Sequence, residues 1–259
     1  MVDGSYHRFT QRHQIQGNRF PAMGRLLIDH MKTLSDTLFI LLTMGLATLV
    51  VIGARHALGG AAARNTALAL GSWLTLVAVL AATGFYADTT AIPPRLVFMI
   101  APVIIVLVVA AISATVSVAA DATSQTWLIG LQGFRVVVEL ILWMLHRQGI
   151  VPVQMTVEGL NVDIVVGLAA LVLLVPMLRG WQPKRGVILA FNVAGLIIVT
   201  NIVVVGILSA PSPVRLFMNE PANTIVATFP YCWLPGIVVP IAYILHIMSL
   251  RKGHGGMPS

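Results

Sequence analysis

The sequence predicts an all-α integral membrane protein: a bundle of about seven transmembrane helices with short loops and a proline-kinked last helix. Three observations carry this. Hydrophobic residues make up 58% of the 259 and charged residues 10%, with a mean hydropathy of +0.91, far from the composition of a soluble domain. Seven apolar runs come close to the roughly 20 residues that a helix needs to cross a hydrocarbon core about 30 Å thick. The segments between them hold Gly, Pro and polar residues where a chain turns, and none is long enough for a separate domain.

Taken in order, the runs cover 36–56, 67–86, 95–119, 126–147, 161–178, 186–209 and 224–250. The chain then divides into a polar, basic N-terminal tail over 1–35, a transmembrane domain over 36–250 and a C-terminal tail over 251–259. Met31 opens "MKTLSDTLFILL", which reads as an alternative native start leading straight into the first span. The last run contains Pro230, Pro235 and Pro240. Each removes a helical N–H, so a bent or broken helix is expected there.

Orientation follows from basic residues in short loops. Arg55, Arg64, Arg179, Lys184, Arg185, Arg251 and Lys252 gather on one side, against Arg95, Arg147 and Arg215 on the other. This expects a bacterial inner-membrane protein with its N-terminus outside and its C-terminus in the cytoplasm, although the basic residues of the first 35 pull the other way. In a soluble chain a net charge of +7 would suggest nucleic acid. Here topology and anionic headgroups account for it, and no nucleic-acid partner is expected. The lipid bilayer is the first partner, and a homo-oligomer or a membrane-complex partner is compatible with the pattern.

Motifs narrow the chemistry by exclusion. There is no G-x-x-x-x-G-K-[ST], G-x-S-x-G or H-E-x-x-H. The last run has no lysine before Lys252, which leaves no Schiff-base site for retinal. Cys232 is the only cysteine, so no internal disulfide forms. His56, His146 and His246 are the histidines of the bundle; His56 and His246 are read as interfacial at the inner level and His146 at the outer end. No metal and no cofactor is expected.

The unusual stretch is "LQGFRVVVELILWMLHRQG", Leu131 to Gly149. At 100° per residue Gln132, Arg135, Glu139, Trp143 and His146 fall within roughly an 80° sector, running about 21 Å along one helix face. Ionised groups at mid-membrane cost about 2.5–3.5 kcal/mol on insertion scales, so Arg135 and Glu139 require partners, and their spacing of four permits a pair within the helix. Glu158, Asn161 and Asp163 stand ahead of the fifth run, where Asn161 can cap and Asp163 suits the positive helix end. Thr200 and Asn201 suit interhelical hydrogen bonds, and Tyr231 and Trp233 suit the membrane interface.

The leading expectation is a polar cavity in the outer half, formed by spans four to seven, that binds, senses or transports a small solute or proton. Glu139 would titrate and Arg135 would be its partner or an anion ligand. Gln132, His146, Glu158, Asn161, Asp163, Asn201 and Tyr231 complete the candidate site, with Glu158 and Asp163 near the entrance. Two alternatives use the same residues. One is a membrane-embedded enzyme acting on a lipid or isoprenoid, with His146 and Glu158 or Asp163 as acid and base. The other is a structural subunit whose charged stripe pairs with another protein's helix.

Overall fold

A computed structural model describes residues 22–88, 91 and 93–252, with side chains from Ile28 onward, and every regular element among them is helical. Most of the N-terminal tail and residues 253–259 lie outside the described residues. The helices are α1 (Ala22–Leu58), α2 (Gly60–Ala82), α3 (Val97–Ile112), α4 (Ala114–Ala122), α5 (Gln125–Gly130), α6 (Phe134–Arg147), α7 (Asp163–Leu178), α8 (Arg185–Ser209) and α9 (Val239–Arg251). A 3-10 turn, Leu131–Gly133, joins α5 to α6, and a π-helical turn, Leu234–Val238, leads into α9.

Five spans are long and apolar enough to cross a membrane, by length and composition: Ile28–Leu58 of α1, α2, Gln125–Arg147, α8 and Leu234–Arg251. A sixth is added if α3 and α4, bent by 70° at their break, count as one. The fifth run corresponds to α7, whose 16 residues fall short of the full thickness of about 20. The chain thus has the make-up of a helical membrane protein. Two boundaries differ from the sequence reading. Helix α1 begins at Ala22, so Met31 lies within a helix, where Lys32 and Asp36 pair at 2.8 Å one turn apart. The last span begins at Leu234 rather than 224, because the segment before it is taken up by a 3-10 turn, Ile225–Ala227, and further turns.

Neighbouring helices run antiparallel, which gives the bundle two ends. At one, the cap end, loops 148–162 and 210–228 meet: Gln154 Nε2 donates to Ser209 Oγ at 3.0 Å and Asn219 Nδ2 to Gln154 Oε1 at 2.8 Å. The N-terminal half of α1 lies at this end, with Phe39 against Tyr231 at 5.0 Å between ring centroids. Helices α6 and α7 each stop in a Schellman motif. At α6, Gly149 N–H bonds the His146 carbonyl and Ile150 N–H bonds that of Leu145, with Gly149 left-handed at φ 72°.

Proline chemistry shapes the start of the last span. Pro240 has no N–H to offer the carbonyl of Gly236 one turn earlier. The indole of Trp73 supplies the missing donor to that carbonyl at 2.9 Å, and Trp233 Nε1 reciprocates on the carbonyl of Leu74 at 3.0 Å. These bonds fasten α2 to the π-helical turn. Tyr231 and Trp233 are therefore buried in the protein, not anchored at a lipid interface.

At the other end, the basic end, the break between α3 and α4 leaves helix-terminal carbonyls without intrahelical donors. Arg251 bridges the break, donating to the Ala110 carbonyl at 2.8 Å and to Ser117 Oγ at 2.6 Å. Lys252 caps α4 through the carbonyls of Ala120, Asp121 and Thr123. Removing these donors strands acceptors that are mostly part-buried, at up to about 1–3 kcal/mol for a fully buried group. Arg251→Ala is expected to lower the thermal midpoint in detergent well beyond Arg179→Ala, whose side chain is exposed. Equal effects would show that the clamp contributes nothing.

Candidate functional site

Three residues of the stripe on the fourth run are buried. Gln132, Arg135 and Glu139 are at most 1% exposed, while Trp143 and His146 lie toward the cap end, where the helix surface opens. The burial follows from close packing of α7 on α6 at Gly167, where a Cβ would lie 2.9 Å from the Val136 amide nitrogen. Asp163 sits one turn earlier on the same face of α7, and this approach brings its carboxylate to Arg135.

The two side chains form a bidentate pair: Arg135 Nε donates to Asp163 Oδ2 at 2.7 Å and Nη2 donates to Oδ1. The pairing of Arg135 with Glu139 expected from their spacing does not form. Within one helix Arg before Glu is the weaker order, whereas a carboxylate on a facing helix can meet the guanidinium fork in plane. Glu139 instead braces the cap-end loop. Its Oε1 accepts from Val157 N–H and its Oε2 from Asn161 Nδ2. Asn161 also donates to the Met155 carbonyl and accepts from Asp163 N–H, both at 3.0 Å, which orders the start of α7.

On its other side Arg135 reaches a histidine that the sequence reading placed at the interface. His246 is fully buried, its Nε2 3.0 Å from Arg135 Nη1 and its Nδ1 2.8 Å from Asn192 Oδ1. A guanidinium only donates, so Nε2 accepts and the ring is neutral with its proton on Nδ1. The correction has a steric basis: Gly195 on α8 leaves the space into which the ring fits. His56, the other histidine assigned to that level, is exposed. From Asn192 the chain continues to Ser249 Oγ at 2.7 Å, which also accepts from Gln125.

Polar contacts thus run from Glu139 through Asn161, Asp163, Arg135, His246 and Asn192 to Ser249 and Gln125, along much of the bundle. The order of groups limits what this ladder can do. A guanidinium keeps its protons and carboxamides neither take nor release them readily, so what the geometry of the ladder shows is a set of ties between α6, α7, α8 and α9. Asn192, His246 and Ser249 were missed from sequence because each is an isolated polar residue in an apolar helix. The available signal was spacing, since His246 and Ser249 lie three apart and share a face of α9.

Beside the pair lies a cavity of about 250 Å³. Its walls are aliphatic residues of α3, α6, α8, the π-helical turn and α9, including Val103, Val138, Ile202, Val203 and Val238. Arg135, Asn161, Asp163 and Asn223 bring polar atoms to this wall. The cavity differs from the expected polar one: it is mainly apolar and uses the third span, because α3 packs on α9 and stands off from α8. Glu139 and Gln132 do not line it; Gln132 donates to the Ala242 carbonyl at 3.0 Å.

Four remaining candidates lie elsewhere. His146 and Glu158 approach to 3.8 Å at the cap end, partly exposed, and Trp143 donates to the same carboxylate. Asn201 donates to the Leu160 carbonyl at 2.9 Å from an exposed position, while the neighbouring Thr200 joins Tyr243 across α8 and α9. Tyr231 belongs to the contact with Phe39. Among the described residues no group of three or more His, Cys, Asp and Glu side chains is arranged to hold a metal ion.

Residues 92–252 match a family model described as a domain of unknown function, DUF8737. The chain belongs to this family. DUF8737 covers α3 to α9, and with them the polar ladder and the cavity, and leaves the α1–α2 hairpin outside the match. No curated protein and no solved structure matches the chain.

Glu139 supplies a direct check on the brace. A glutamine there has one acceptor oxygen and an NH2 that must face either Val157 N–H or the Asn161 amide, two donors. Glu139→Gln is expected to speed hydrogen exchange at Val157 and its loop neighbours by on the order of tenfold. Unchanged protection would mean that the carboxylate does not hold the loop.

Proposed function

We propose that this protein binds a small, mainly apolar molecule drawn from the bilayer, in the cavity between α3, α6, α8 and α9, with the polar part of the molecule toward the polar groups of the wall, Arg135, Asn161, Asp163 and Asn223. The reading is of a seven-pass inner-membrane protein in which α3–α4 and the short α7 complete the passes, with the C-terminus cytoplasmic. Supporting that orientation, the ends of α1, α7 and α9 that carry Arg55, Arg179 and Arg251 share one end of the bundle, as basic residues do on the cytoplasmic side.

One observation carries the binding reading: a partly open aliphatic cavity meets convergent polar groups held by a second layer of hydrogen bonds, the general form of a small-molecule site. At about 250 Å³ the cavity is near the lower end of ligand pockets of roughly 300–1,000 Å³. The guanidinium and amides in the ladder favour binding, sensing or passage of a solute over proton conduction.

Val203→Trp tests the proposal, since Val203 lines the cavity and is not part of the packed core. Labelling of the purified protein in nanodiscs by a photoactivatable aliphatic probe should fall at least tenfold in the variant while its thermal midpoint stays near wild type. Equal labelling of both proteins, or labelling confined to the outer faces of the helices, would refute the proposal.

A further inference from the structure

We infer that the cavity selects an apolar molecule carrying a hydrogen-bond donor, a hydroxyl in particular, and that Asn223 is the residue that reads it. The inference rests on the cavity being a binding site and adds the chemical class of its occupant.

The argument comes from which polar atoms at the wall already have partners. Asn223 lines the cavity and is 2% exposed. Its Nδ2 donates to the Gly206 carbonyl at 3.0 Å and lies 4.0 Å from Met155 Sδ. The carbonyl fixes the orientation of the amide, because only the nitrogen can face it. Oδ1 is then an acceptor with no partner among the described residues, and an unmet buried acceptor is a costly group to leave unsatisfied.

The other polar groups at the wall lean the same way. Asp163 receives only Arg135, so its carboxylate keeps acceptor capacity. Asn161 has both amide hydrogens directed to Glu139 and Met155 and retains acceptor capacity at Oδ1. Four of the five N–H groups of Arg135 point into Asp163, His246 and the Gly195 carbonyl, and its side chain is 1% exposed. The wall therefore offers mainly acceptors: Asn223 Oδ1, the Asp163 carboxylate and Asn161 Oδ1, against one remaining N–H of Arg135. A hydroxyl satisfies one by donating, whereas an ether or ketone oxygen meets acceptor against acceptor. Sites that hydrogen-bond a hydroxyl reject analogues lacking it far more strongly than they discriminate by size.

The probes are dodecan-1-ol and its methyl ether, each competing with the photoactivatable aliphatic probe on the full chain in nanodiscs. Wild type should prefer the alcohol by about tenfold or more. Asn223→Leu, close in shape but without the acceptor, should bring the ratio below about threefold while binding of the ether persists. Equal affinity in wild type would overturn the hydroxyl inference and leave the cavity reading standing, and that comparison needs no folded variant. An Asn223→Leu protein that keeps the tenfold ratio would overturn the role of Asn223. If neither compound competes and Val203→Trp labels like wild type, the cavity reading itself fails, and the inference with it.

Discussion

Replacing Arg135 with methionine is expected to destabilise the bundle by about 3–5 kcal/mol, the usual cost of stranding one member of a buried ion pair. The change leaves the Asp163 carboxylate without its two donors and removes the hydrogen that His246 accepts on Nε2. Glu139 adds a second buried carboxyl group with no cation in contact, so the core loses its only positive charge among the described residues. Asp163→Leu in the same background removes the stranded charge and should recover most of the loss, as replacement of whole buried pairs by apolar residues often does. Unfolding in mixed micelles with increasing SDS would read both. A single variant as stable as wild type, or a double variant no better than the single, would show that the pair does not carry the core.

Gly195→Ala should be nearly as damaging although it adds a single methyl group. Its Cβ would fall 2.2 Å from Cε1 and 2.3 Å from Nε2 of His246. The ring cannot swing aside cheaply, because both nitrogens are bonded and Phe191 packs against it at 5.6 Å between centroids. Overpacking alone costs roughly 1–3 kcal/mol. Releasing the ring also frees Arg135 Nη1 and Asn192 Oδ1 at about 1–3 kcal/mol for each buried group left unpaired. Gly186→Ala, on the same helix and with nothing within 4 Å of the added atom, should be neutral or slightly stabilising. Adding His246→Ala to Gly195→Ala should restore part of the lost stability by making room. If Gly195→Ala behaves like Gly186→Ala, the ring is not seated as described.

The sequence revealed the helical membrane class, the polar stripe and the segment 158–163 because these are local signals: composition, period and capping pattern. It misassigned the partner of Arg135 because i,i+4 spacing is visible in one helix, whereas proximity of Asp163 depends on how closely α7 approaches at Gly167. His246 carried no sequence mark separating a buried imidazole from an interfacial one. Its burial depends on an absent side chain, that of Gly195, on another helix. The apolar character of the cavity was hidden for a similar reason. Polar residues of the fourth and fifth runs suggested a polar interior, but two of them, Gln132 and Glu139, bond to the backbone of α9 and the cap-end loop and leave the cavity wall largely to aliphatic side chains.

The Arg251–Lys252 clamp also bears on the order in which the protein can be made. Helices α3 and α4 leave the ribosome more than a hundred residues before the two side chains that close their bend. During that interval the carbonyls of Ala110, Asp121 and Thr123 lack the side-chain donors that the finished chain gives them. The clamp is therefore among the last contacts of the native state to form, and a nascent chain arrested just short of Arg251 would hold nearly all of every apolar span while its α3–α4 corner lacked these side-chain bonds.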